Sequence, residues 1–181
     1  MPTLGLITAS ARPNRVGEHV ARWVGEQLPG TWDVDAIDLA ENPLPFFDGA
    51  SSPKQGLPRT EQHAIDWAAR IDGLDALVIT TPEYNGSYPA ILKNAIDYLS
   101  AEVTDLPVVL VGYGWAAGAG SLEATERLLV RLGARIVGSV GLGFGTDLET
   151  DGTLHVTEPV TEALGTALTE LATAVQETPA A

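Results

Sequence analysis

The sequence predicts a doubly wound α/β domain, with one five-stranded parallel sheet and helices on both faces. Short apolar runs such as Thr3–Thr8, Ala76–Ile79 and Leu106–Gly112 alternate with stretches whose apolar residues recur at helical spacing. Strand and helix following one another in this order imply a parallel sheet covered on both sides. Right-handed crossovers then leave few topologies. With 181 residues, no internal repeat and no interdomain linker, the chain is expected to form one domain.

Each element follows from its own residues. Thr3–Thr8 reads as a buried first strand, and Ala9 to Arg15 as a polar turn. Val16 to Leu28 is predicted helical, its apolar stripe made by Val16, Val20, Trp23, Val24 and Leu28. Pro29-Gly30 stops that helix, and Trp32–Leu39 alternates like a strand near the sheet edge. Glu41 to Arg59 is rich in Pro, Gly and Ser, and long loops in compact domains are often functional. Thr60 is the expected cap of a helix running to Asp72. After the third strand, Pro89 fits the first turn of a helix over Ala90–Leu99. Leu106–Gly112 is the fourth strand. Ser121 is expected to cap a helix that runs through Leu132 and ends at Gly133. Arg135–Val140 is the fifth strand and Val160–Val175 the last helix. The domain thus covers 1–177, and the tail 178–181 is expected to fray.

Composition narrows the function. A formal net charge of -14 leaves no basic stripe for a phosphate backbone, so no nucleic-acid partner is expected. Such charge suits an acidic electron-transfer surface without establishing one. The absence of cysteine removes disulfides, thiolate catalysis and thiolate metal sites together. The histidines His19, His63 and His155 are scattered, without metal-ligand spacing, and no metal site is expected. No signal peptide is recognised at the amino terminus and no apolar run is long enough to cross a bilayer, so a cytoplasmic protein is expected.

Loops that leave the strands of such a sheet emerge at one edge, where open α/β sheets bind ligands. The first, Ser10 to Gly17, offers a hydroxyl, Arg12, Arg15 and the free N–H groups of a helix start, which together suit an anion. Arginine adds a bidentate fit to phosphate oxygens. The bland alternative is a capped turn with solvated arginines. Neither a Walker loop nor a Gly-x-Gly-x-x-Gly fingerprint is present. The second loop carries Pro82 to stiffen the backbone, Tyr84 to offer a flat face and Gly86 for close approach. In the third, Tyr113 to Gly120, glycines flank Trp115. Aromatic, glycine-relieved loops beside a phosphate site would suit a planar phosphorylated cofactor such as FMN. Ordinary turn geometry would account for Gly118 and Gly120 equally well.

The stretch Ser10-Ala11-Arg12-Pro13-Asn14-Arg15-Val16-Gly17, then Thr81-Pro82-Glu83-Tyr84-Asn85-Gly86-Ser87 and Leu92-Lys93-Asn94-Ala95-Ile96-Asp97, resembles the NAD(P)H-dependent FMN reductase family. The likeness spans nearly the whole chain in the right order, and the Pro-Glu-Tyr-Asn stretch is its most specific mark. It implies a flavodoxin-like fold and an enzyme that passes electrons from NADPH or NADH through bound FMN to a small acceptor, such as a quinone, azo compound or flavin. By that resemblance Ser10, Arg12, Arg15, Val16 and Gly17 would hold the phosphate. Pro82, Glu83, Tyr84, Asn85 and Gly86 would line the isoalloxazine, and Gly114, Trp115 and Gly118 would form the third flavin loop. Glu83 and Tyr84 would shape the second loop and a dimer contact. A homodimer is implied, sometimes paired again as a tetramer. No residue of the chain is assigned a catalytic role, because the cofactor carries the hard step.

The chain departs from the family pattern at Ala9, where a glycine is common, at Trp115 in the third loop, and at Ser100-Ala101-Glu102-Val103 after Leu99. Trp115 would reshape the pocket, and the last difference weakens the case for a tetramer. Two other classes fit the same sheet: a flavodoxin-like electron carrier without its own NAD(P)H turnover, and a flavin-free binding domain.

Overall fold

The computed structural model describes residues 1–177; the predicted frayed tail, 178–181, lies outside the described residues. The strands are β1 (Thr3–Thr8), β2 (Asp33–Asp38), β3 (Ala76–Pro82), β4 (Pro107–Gly114) and β5 (Arg135–Gly143). Between and after them lie α1 (Gly17–Gln27), α2 (Gln62–Asp72), α3 (Ala90–Asp97), α4 (Ala119–Arg131) and α5 (Glu158–Glu177). All strand pairings are parallel and the order is β2-β1-β3-β4-β5. This is the doubly wound, flavodoxin-like arrangement, in which the chain reverses direction between β1 and β3.

The apolar runs are long where two layers cover the strand and alternate where only one does. Every residue of β3 and β4 is buried. On one face Val20, Trp23 and Val24 of α1 and Leu164, Leu168 and Leu171 of α5 pack over Leu4, Leu6, Val78 and Val111. Opposite them, Trp67 and Ile71 of α2, Leu92 and Ile96 of α3 and Leu129 of α4 pack over Ile7, Ile79, Val108 and Leu110. Emptying one such position, for instance Leu92→Ala, costs about 2–5 kcal/mol. Edge strand β2 is exposed at Asp33, Val34 and Ala36, and Ile37 is its fully buried residue.

Several strands run further than their apolar cores predict. Glu83 N–H donates to Tyr113 O at 2.9 Å and Phe144 N–H to Gly114 O at 3.0 Å, so backbone pairing continues into the loops. Two predicted caps are corrected. Thr60 stands before the N-cap Glu61, with its hydroxyl on the Glu61 carboxylate at 3.1 Å. Ser121 lies inside α4, whose N-cap is Gly118 at φ +70°; an added Cβ there would meet Tyr113 N at 2.4 Å. Gly133, at φ +94°, follows the end of α4 as the sequence suggests.

The long loop over 41–59 contains a 3-10 turn at Pro53–Gln55 and is fastened to α3. Asn94 donates to Pro45 O at 2.7 Å and accepts from Phe47 N–H at 2.9 Å. No helix among the described residues is long and apolar enough to cross a membrane.

Candidate functional site

Three of the strand-end loops converge on a cleft of about 280 Å³ at the β1/β3 switch point. From the first loop it is lined by Ser10, Arg12, Asn14, Arg15 and Val16. The N–H groups of Val16, Gly17 and Glu18 donate to no acceptor among the described residues, as expected at a helix start. Ser10 is 1% exposed, and its hydroxyl has no hydrogen-bond partner among the described residues. Gly17 has no room for a side chain. A Cβ there would lie 2.2 Å from Ser10 Oγ and 2.6 Å from the Tyr113 hydroxyl.

The two arginines part company. Arg12 is exposed, pairs with no carboxylate among the described residues, and stands 5.9 Å from the centre of the Tyr84 ring. Arg15 lines the cleft but is engaged within the protein: its side chain is only 8% exposed and most of its donors are taken. Nη1 donates to Asp38 Oδ1 at 2.7 Å and to Ser10 O at 2.6 Å; Nη2 reaches Asp38 Oδ2 at 2.5 Å; Nε meets Glu18 at 2.9 Å. These carboxylates, the Asp38 hydrogen bond first, hold the guanidinium more firmly protonated than usual, against the pull of burial. Arg15 thus ties the first loop to the end of β2.

In the second loop the Asn-Gly pair makes a tight reversal. Asn85 and Gly86 both have positive φ, 53° and 77°, and Tyr84 and Ser87 exchange backbone hydrogen bonds at 2.8 and 3.1 Å. This is the pattern of a type I′ turn. Pro82, Glu83 and Tyr84 line the cleft, whereas Asn85 and Gly86 lie beyond its wall. Burial raises the Tyr84 phenol above its usual value, with Arg12 and Arg15 opposing. Glu83 turns away to accept the Gly120 N–H of α4 at 2.7 Å. An added Cβ on Gly120 would lie 2.7 Å from Gly86 O, so the second loop rests directly on the α4 start.

The third loop supplies Trp115, 79% exposed on the rim, its ring edge-to-face with Phe144 at 5.4 Å. Gly114 and Gly118 carry this turn without lining the cleft. Four lining residues have no role assigned from the sequence: Asn14 and Tyr113 belong to the first and third loops, whereas Phe144 and Thr150 come from the segment after β5, which carries no motif.

A helix start with free N–H groups and an aromatic-walled cleft at the switch point of a flavodoxin-like sheet define the class: an open α/β protein with a cleft where such sheets take their ligands. Comparison with known proteins gives the family. Residues 2–148 match the NADPH-dependent FMN reductases, and the chain belongs to that family. An NAD(P)H-dependent FMN reductase of Schizosaccharomyces pombe is 38% identical over 120 residues, which are 65% of this chain and 60% of that protein. An FMN-dependent NADPH-azoreductase of Staphylococcus aureus is 36% identical over 126 residues, 68% of this chain and 63% of that one. This chain therefore matches less than two thirds of the length of either relative. Among solved structures, an oxidoreductase from Corynebacterium diphtheriae superposes with a TM-score of 0.75 at 18% identity, covering 99% of both chains. That similarity establishes the fold.

Proposed function

We propose that this protein is an FMN-dependent oxidoreductase that takes electrons from NADPH or NADH and delivers them to a small acceptor, such as a quinone, an azo compound or a free flavin. The observation that carries the reading is the convergence, in a chain of this family, of a free helix start, two unpartnered buried hydroxyls and an aromatic-walled cleft. Unsatisfied buried polar atoms are rare in native proteins and call for a partner. A phosphate supplies acceptors for all of them.

When bound, FMN supplies the redox chemistry, accepting hydride from the nicotinamide and giving up electrons to the acceptor. The chain binds, orients and shields. Arg12, Ser10 and the N–H groups of Val16 and Gly17 take the phosphate, while Arg15 holds their loop in place. The backbone of Pro82, Glu83, Tyr84, Asn85 and Gly86 borders the ring; Glu83 and Tyr84 spend their N–H groups on Tyr113 O and Ser87 O, so the Asn85 and Gly86 N–H groups are the ones left to stabilise negative charge on the ring's pyrimidine side. Gly114 and Gly118 let the third loop turn, and Trp115 walls the open side. We further propose a homodimer with the flavin near the subunit boundary and a cytoplasmic location.

The test is to add FMN to the purified protein, remove the unbound flavin, and record the visible spectrum before and after anaerobic addition of NADPH or NADH. Retained flavin whose visible band bleaches promptly on addition is the expected result. Colourless protein, or bound flavin inert to both nicotinamides, overturns the reading.

A further inference from the structure

Tyr113 lies at the end of β4, and its ring joins the layer that α1 and α5 form on one face of the sheet, so that its hydroxyl reaches the first turn of α1. The phenol is 2% exposed. Its oxygen would sit 2.6 Å from a Cβ on Gly17, beside the Ser10 hydroxyl that would sit at 2.2 Å. Both residues line the cleft, and neither oxygen makes a hydrogen bond of good geometry among the described residues, although the two hydroxyls lie near enough to feel each other. A buried hydroxyl without a partner costs about 1–3 kcal/mol, and phenylalanine would fill the same space without that cost. The hydroxyl therefore answers to something other than packing.

The charges around it define the ligand. Arg15 is already neutralised by Asp38 and Glu18, so its guanidinium adds little free positive charge. Arg12 is left as the cation open to an anion at this helix start. The other groups facing the position are neutral donors: the Val16, Gly17 and Glu18 N–H groups and the two hydroxyls. Hydroxyls donate to a dianion without bringing charge of their own. Burial holds the Tyr113 phenol far above its usual pKa, against the smaller pull of Ser10, Arg15 and Arg12, so it stays protonated as a donor throughout the working range.

We infer that the Tyr113 hydroxyl is a ligand of the FMN phosphate, completing with Ser10 and the start of α1 a pocket that separates FMN from unphosphorylated riboflavin. It takes the place in the phosphate shell that the motif had suggested for the Arg15 side chain. The inference rests on the FMN reading proposed above.

The experiment titrates FMN and riboflavin, by quenching of flavin fluorescence, into wild type and Tyr113→Phe, and measures the thermal unfolding of both apo proteins. The expected result for Tyr113→Phe is FMN binding weakened about tenfold, a loss of about 1.4 kcal/mol, with riboflavin binding unchanged. The midpoint of apo unfolding should be unchanged or higher, because an unpaired buried oxygen is gone. A structural hydrogen bond from Tyr113 predicts the opposite: lowered apo stability, or failure to fold, with both flavins affected alike. That outcome, or unaltered FMN affinity in the variant, overturns the inference while leaving the FMN reading intact. Wild type that binds neither flavin overturns that reading and this inference with it.

Discussion

Arg15 grips both carboxylate oxygens of Asp38, at 2.7 and 2.5 Å, and so ties the loop after β1 to the end of β2. The same guanidinium takes Ser10 O at 2.6 Å, which fixes the residue whose hydroxyl faces the α1 start. Charged hydrogen bonds are worth about 1.5–3 kcal/mol each when a partner is deleted. Partial exposure of Asp38 places the pair near the lower end of that range. Arg15→Ala and Asp38→Ala should each cost about 2 kcal/mol in urea unfolding of the apo protein. Arg15→Lys keeps the charge but loses the fork, and should recover less than half. A direct phosphate role predicts otherwise: unchanged apo stability, with FMN affinity substantially rescued by lysine.

Arg12 presents the reverse case. It is exposed and carries no carboxylate partner among the described residues, so Arg12→Ala should leave apo stability within about 0.5 kcal/mol of wild type. FMN affinity should fall about tenfold, the low end of what a charge-assisted hydrogen bond provides. Riboflavin affinity should stay as it was. A titration of both flavins at low and high salt checks this, because the wild-type preference for FMN should shrink as salt screens the contact.

What was legible in the sequence divides along local and non-local lines. Strands β3 and β4 read correctly because helices cover both faces, which makes their residues apolar without a break. The Asn85-Gly86 pair likewise announces a reversal through the positive φ that its residue types tolerate. The start of α4 at Gly118 rather than Ser121 has a non-local reason. Its Gly120 N–H is satisfied by Glu83 from another loop, and no residue near Ser121 signals that. Arg15 carries the right charge for an anion site, and its pairing with Asp38 on a neighbouring strand is visible only once the strand order is known. Tyr113 has its ring in the core and its hydroxyl at the α1 start, a juxtaposition that only the strand order creates. Phe144 and Thr150 reach the cleft by the same route, from a segment with no periodicity or motif to mark it.

The edge strand gives a prediction in pH. Arg70 donates to both oxygens of Asp35 on β2, at 2.7 and 2.6 Å, and holds its carboxyl below the ordinary value of 3.8, with burial opposing. A folded-state pKa below the unfolded one means that the unfolded chain binds the proton more readily. Stability from this pair is therefore fully present above the unfolded value, and is lost as pH falls through the folded one. Wild type should exceed Asp35→Asn in thermal midpoint near neutrality, and the gap should close progressively below about pH 4. Parallel melts of the two proteins from pH 7 to pH 3 check this. A gap that is constant with pH, or widens in acid, excludes the pair as its source.

Glu83 gives the last prediction, and it concerns the coupling between two loops of the cleft. Its carboxylate accepts the Gly120 N–H at 2.7 Å, while its own N–H donates to Tyr113 O at 2.9 Å, so one residue joins the second loop both to β4 and to the start of α4. A side-chain acceptor on the first turn of a helix is worth about 1 kcal/mol, and a carboxylate also gains from the helix dipole. Glu83→Ala should lose about that much stability and release the second loop from the start of α4. Glu83→Gln keeps an acceptor without the charge and should fall between alanine and wild type. Because the turn at Asn85-Gly86 rests on Gly120, the loosening should appear as faster amide hydrogen exchange at Tyr84, Ser87 and Gly120, with α1 and β1 unaffected. FMN and riboflavin affinities should fall together, since the ring contacts suffer and the phosphate contacts do not. That parallel loss separates Glu83 from Arg12, whose removal should weaken FMN alone.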